Sequence, residues 1–136
     1  MPSSTEIAAR TYVAAWREQD AAARGRLIEA CFAAEGRIVS PGAVIRGRAA
    51  LAAAIDHLFA DPRGLSVRLV SAIDVQGPIF RLRAVVEDGD GRIVFDGFDA
   101  AEVDADGHIA TLLAFGASPI QSSTLSPDSS PKPDRR

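Results

Sequence analysis

The chain has a single cysteine, Cys31, so no disulfide can form within it. One thiol with two histidines also cannot assemble a thiolate–histidine zinc site. No apolar run approaches the roughly 18 residues of a spanning helix. The opening MPSSTEIAARTY lacks the basic start and apolar run of a secretory signal. A cytoplasmic protein that holds no metal and needs no cofactor is therefore expected. Lysine is reduced to Lys132, and the other basic residues are arginines. This follows from a GC-rich codon bias more than from function. The net charge of −3 is concentrated in the body of the chain, which does not favour a nucleic-acid partner.

What is present is a chain of 136 residues, 47% hydrophobic and 24% charged, enough for one globular core. Its first half is helical in pattern. Ser3 and Ser4 offer caps, and Ala8, Tyr12, Val13 and Trp16 share a helical face that runs to about Gln19. Asp20 caps a second helix over residues 21–33, with Leu27, Ile28, Cys31 and Phe32 as its inward stripe. Gly36 closes that helix, residues 37–40 form a short strand, and Pro41-Gly42 turns the chain into a brief extended piece over 43–45. A third helix carries Leu51, Ile55, Leu58 and Phe59 on one side and stops before Asp61-Pro62.

The period then changes to two. Leu65, Val67, Leu69, Ile73 and Val75 alternate with polar residues, as do Phe80, Leu82, Ala84 and Val86. Turn sequences at 76–78, 88–91 and 104–107 separate the runs, which predicts a meander of four long antiparallel strands ending with residues 108–115. Residues 1–116 form the domain. The stretch from residue 117 is rich in Ser, Pro and Asp and is expected to be a disordered tail, because it cannot bury enough surface to offset its ordering entropy.

One residue breaks the pattern. In residues 93–103 the same-parity positions Ile93, Phe95, Gly97, Ala101 and Val103 are apolar or small, and Asp99 lies among them. An ionised carboxylate on a buried face must be paired, hydrogen-bonded or shifted in pKa, so Asp99 is either tied down by the fold or used by a site. The remaining candidates have plainer readings. Cys31 is a small hydrophobe on a helix stripe. His57 sits off the apolar stripe of its helix, and His108 follows a turn and is expected to be exposed. Glu102, Asp104, Asp106 and Gly107 form a hairpin turn rather than a calcium loop, since Leu113 stands where the closing glutamate would be.

The order of elements, with the strings YVAAWREQD, GRIVSPGAVIRGRAAL and GFDAAEVDADGHI, resembles the NTF2-like superfamily in its SnoaL-like and ketosteroid-isomerase-like branch. The resemblance implies an α+β cone, with three N-terminal helices packed on a strongly bent, mostly antiparallel sheet. It further implies a small-molecule cavity, an apolar ligand, and a homodimer formed through the exposed sheet face. In the isomerases Tyr12 would match an oxyanion-hole tyrosine and Asp99 a protonated acid donating the second hydrogen bond. In the cyclases Asp99 would match the general base. Ser40 stands where the isomerases carry their basic carboxylate, and a neutral hydroxyl cannot take a carbon-bound proton unaided. Trp16, Ser40, Phe95 and Phe115 are the expected ligand-contacting residues beside the catalytic pair Asp99 and Tyr12. The competing expectation is a non-catalytic binding or dimeric interaction module that kept the fold and lost the chemistry.

Overall fold

The computed structural model describes residues 1–117; the expected tail lies outside the described residues. Three helices and seven strands follow in the order α1 (Ser4–Arg17), α2 (Ala21–Cys31), β1 (Phe32–Ser40), β2 (Ala43–Arg46), α3 (Arg48–Ala60), β3 (Ser66–Leu69), β4 (Asp74–Gln76), β5 (Ile79–Glu87), β6 (Ile93–Val103) and β7 (Ile109–Ala117). The architecture is α+β. Among the described residues no helix is long and apolar enough to cross a membrane.

Local chemistry sets the helix starts. The Ser3 hydroxyl accepts from the Glu6 amide at 3.1 Å and the Asp20 carboxylate from the Ala23 amide at 2.8 Å, each satisfying an otherwise orphaned N–H. Helix α3 begins instead at Gly47, whose φ of 85° suits glycine. Its amide donates to Gly36 O at 2.8 Å, so the β1–β2 hairpin hands the chain directly into the helix.

The strands form one mixed sheet in the order β2-β1-β7-β6-β5-β3, with β4 also paired to β5. Only β1 and β7 run parallel; the other pairs are antiparallel. Helix α1 packs against β3 and β5, α2 against β1, and α3 against β1 and β2. The core gathers Ala8, Ala9 and Tyr12 from α1, Ile28 and Cys31 from α2, Leu51 and Ile55 from α3, and Phe80, Leu82, Ala101, Ile109 and Leu112 from the sheet.

Three sequence expectations are corrected. Helix α2 stops at Cys31, and Phe32, expected on its stripe, starts a nine-residue β1 that also contains Gly36. The alanines there favour helix, but pairing to β7 overrides them. The β1–β7 register shifts between Phe32 and Arg37, and a side chain at Gly36 would come within 2.9 Å of Ile109 O. The run 65–75 is not one strand but two, β3 and β4, both on β5. The break falls at Ser71, whose hydroxyl accepts the Arg83 amide at 2.8 Å and thereby replaces a ladder bond. His108 is half-buried rather than exposed, with its amide donating to Asp104 Oδ1 at 3.0 Å.

Arg24 is the buried charge that sequence periodicity passes over. Its side chain is only 5% exposed, and its guanidinium donates to Glu18 O at 2.7 Å and pairs with Asp56. It also lies 5.3 Å from the centre of the Phe59 ring. One residue thus joins the end of α1 to α2 and α3. Arg24→Met is expected to lower stability by about 2 kcal/mol, and Asp56→Asn, whose carboxylate is 61% exposed, by less than about 1 kcal/mol. Urea denaturation of the two variants checks the ranking.

Candidate active site

The inner face of the sheet is covered at one end only. On β6, Ala101 and Val103 are buried beneath the helices, whereas Ile93 and Phe95 at the other end are 39% and 36% exposed. The face expected to be wholly buried is therefore a gradient, and Asp99 stands partway along it. Below the open end lies a cavity of about 230 Å³. Tyr12 and Trp16 reach it from α1, Ser40 from β1, Leu82 and Ala84 from β5, Phe95, Gly97 and Asp99 from β6, and Ala114 from β7.

Cross-strand register explains the isolation of Asp99. Its neighbours on either side are Leu82 of β5 and Ala114 of β7. Neither has a polar side chain, and the carboxylate makes no hydrogen bond or ion pair with another described residue. Burial alone pushes its pKa up from 3.8 to about 6. Tyr12 is buried, and its phenol is pushed well above its usual value of 10.0, first by burial and then by repulsion from Asp99, with the Trp16 indole acting the other way. The two rings meet edge to face at 6.4 Å between centroids.

The expected residues divide as follows. Asp99, Tyr12, Trp16, Ser40 and Phe95 line one cavity. Phe115 does not. It pairs with Phe98 across β6 and β7, its ring 5.8 Å from that of Phe98, and is 53% exposed on the opposite face. Strand parity sends Ala114 in and Phe115 out. The Ser40 hydroxyl donates to Ala43 O at 3.3 Å across the β1–β2 turn, so it serves the hairpin. Elsewhere, Asp104, Asp106 and His108 come close together at the β6–β7 turn. Asp104 Oδ1 there accepts the amides of Asp106 and His108, which is the work of a turn-forming aspartate. Cys31 is fully buried, and burial raises its thiol to about 12, so it is no nucleophile.

The sequence pattern of the SnoaL-like domain matches residues 9–112, which includes every cavity residue named above except Ala114. The chain belongs to the SnoaL-like family. No curated protein matches it significantly. Among solved structures, a proposed isomerase of the SnoaL-like family from Agrobacterium tumefaciens is 27% identical, with a TM-score of 0.75 over 85% of this chain and 98% of that one. A proposed polyketide cyclase from Sinorhizobium meliloti is 19% identical, with a TM-score of 0.62 over 83% and 99%. A protein with a ketosteroid isomerase-like fold from Catenulispora acidiphila, solved with trimethylamine, is 17% identical, with a TM-score of 0.63 over 81% and 85%. The last two likenesses establish the shared fold.

The shifted acid makes a stability prediction. Because the folded pKa of about 6 exceeds the unfolded value of 3.8, the native state binds the Asp99 proton more tightly. Its contribution to stability is fully present below about pH 4 and is lost as pH rises through 6. A gap of this size corresponds to roughly 2–3 kcal/mol. Asp99→Asn should therefore match the native chain near pH 4 and be more stable by up to about that amount at pH 7.5. Denaturant titrations of both proteins across this range give the difference. A structurally paired acid would give the opposite sign.

Proposed function

We propose that this SnoaL-like protein is a cofactor-independent acid–base enzyme acting on a small, largely apolar carbonyl compound. The Asp99 carboxylate takes a proton from the carbon beside the carbonyl. The electron pair of that C–H bond moves onto the carbonyl oxygen, and the Tyr12 phenol donates a hydrogen bond to the resulting enolate. Return of the proton to another carbon gives an isomerisation, whereas attack of the enolate carbon on a second carbonyl breaks that C=O π bond, and the resulting alkoxide takes the proton back from Asp99 to give a ring-closed alcohol.

The observation that carries this reading is geometric: Asp99, with no hydrogen-bond or ion-pair partner among the described residues, lines one cavity with Tyr12. An acid meant to donate a hydrogen bond at neutral pH must be held protonated, with a pKa well above 7. At about 6 the carboxylate is ionised at neutral pH yet more basic than a solvated one, which suits a general base. Ser40 adds no competing base, since its hydroxyl is spent on the hairpin. Tyr12 complements the base, because a phenol with a raised pKa remains a neutral donor throughout the physiological range. The likeness to a proposed isomerase and a proposed cyclase fits either fate of the enolate.

The outer sheet face supports a second part of the proposal, a homodimer. Leu113 and Phe115 are 41% and 53% exposed there, beside Ile79 at 46%, and a groove of about 420 Å³ runs between Ile79, Arg81, Glu102 and Leu113. Such a face on a small domain is suited to a second copy. Light scattering should return twice the chain mass, and Leu113→Arg should return the monomer.

The chemistry is tested by proton exchange. A cyclic ketone incubated with the protein in deuterated water should exchange its α-hydrogens at a rate that rises with pH and levels off above about 6. Asp99→Asn should reduce the catalysed rate by about 10²–10⁴-fold. Tyr12→Phe should reduce it by about 10²–10³-fold without moving the inflection. NMR measures all three, and wild-type exchange no faster than buffer sinks the proposal.

A further inference from the structure

The Phe95 ring has an unusual seat. Gly97 and Gly116 face each other across β6 and β7, and the ring lies over both. A side-chain carbon added at Gly97 would meet Phe95 Cε2 at 2.9 Å, and one at Gly116 would meet Cζ at 2.8 Å. The β5–β6 register also shifts so that Phe95 faces Val86 while Ile93 faces Glu87, which leaves Val94 as an extra residue. A bulge of this kind re-aims the next side chain. Two glycines and a bulge thus fold the ring back along the inner face, at the point where the cavity meets solvent. The ring remains 36% exposed, so one side of it faces water and the other faces the chamber.

We infer that Phe95, held on the Gly97–Gly116 pair, is the specificity-determining wall of the cavity and limits its ligands to about one ring. The volume points the same way. A cavity of roughly 150 Å³ can take benzene, so 230 Å³ has room for one substituted ring, and the Phe95 ring stands at the solvent edge where a second fused ring would extend. This inference rests on the proposed role of Asp99 and Tyr12, and it deepens that role by naming the size class of the substrate.

Phenols are suitable probes, since a planar hydroxyl-bearing ring imitates an enol, donating to Asp99 and accepting from Tyr12. Calorimetry on the full chain should give a phenol affinity at least tenfold higher than that for 2-naphthol, against the order that apolar area alone would set. Phe95→Ala should reverse the preference by strengthening 2-naphthol at least tenfold. Gly97→Ala keeps the phenylalanine but forces its ring off the sheet, with no positive φ to strain, and should weaken phenol severalfold. If phenol binds in a Tyr12-dependent way but 2-naphthol binds equally well, or if its affinity is unchanged in Phe95→Ala, the Phe95 wall is refuted alone. If phenol does not bind, or binds equally to Tyr12→Phe, the Asp99–Tyr12 reading falls and the size limit falls with it.

Discussion

The structure depends on a mismatch of lengths. Strand β6 has eleven residues and extends about 37 Å, whereas α1, with fourteen, is only about 21 Å long. The helices can cover part of the inner sheet face and no more. Burial is complete where they reach, at Ala101, Val103 and Ile109, and fails at Ile93 and Phe95. An uncovered apolar face would bind indiscriminately, so its edge is closed by aromatic side chains. Trp16 stands on one side, and Phe95, folded back over its glycine pair, stands on the other. The cavity is what remains between a sheet that is too long and helices that are too short. The site is a consequence of that geometry, not an addition to it.

Two internal charges illustrate the difference between holding the fold and doing chemistry. Arg24 is nearly inaccessible, yet it is satisfied by a carbonyl at the end of α1 and by a carboxylate and an aromatic face of α3. Asp99 is less deeply buried and has no partner among the described residues. Burying a charge without compensation is unfavourable, and a fold gains nothing from retaining one where asparagine or leucine would pack. Its carboxylate is therefore a partly desolvated charge that packing does not explain, and in the proposed reaction the ligand supplies its partner.

Much of this was legible in the sequence. The helix caps at Ser3 and Asp20, the turns, and the inward parity of Asp99 follow from short-range rules that the structure obeys. The failures have one common cause. Phe32 read as helix because it continues the stripe of Leu27, Ile28 and Cys31, with Gly36 as the stop, and Leu65 to Val75 read as one strand because the alternation continues through Ser71. Both were decided by the pairing partner, β7 in one case and β5 in the other, and a partner distant in sequence leaves no local mark. Phe115 failed differently: its parity was readable from Ala114, but which face of β7 is covered depends on where the helices sit. Arg24 could not have been found by apolar periodicity, since a satisfied buried cation looks like a surface one. Gly97 left a legible trace, because a glycine inside a strand marks a close approach, but only the fold supplies the Phe95 ring that makes it.

The electrostatics of the chamber bear on how the proposed reaction could proceed without a cofactor. Asp99 and Tyr12 are raised by the same burial, and the charge on the first raises the second further. The two are thereby kept from ionising together, so with Asp99 ionised the chamber carries one negative charge. When Asp99 accepts the proton, that charge does not leave or double; it moves to the ligand oxygen beside the Tyr12 hydroxyl. The desolvation that made the carboxylate basic is then relieved at Asp99 and imposed on the enolate, where the Tyr12 phenol, lining the same cavity, would donate to offset it. Moving one charge within an apolar space needs far less reorganisation than creating a new one. A lone carboxylate with no counter-ion is thus better suited to this step than a salt-bridged one, whose cation would hold the charge where it began.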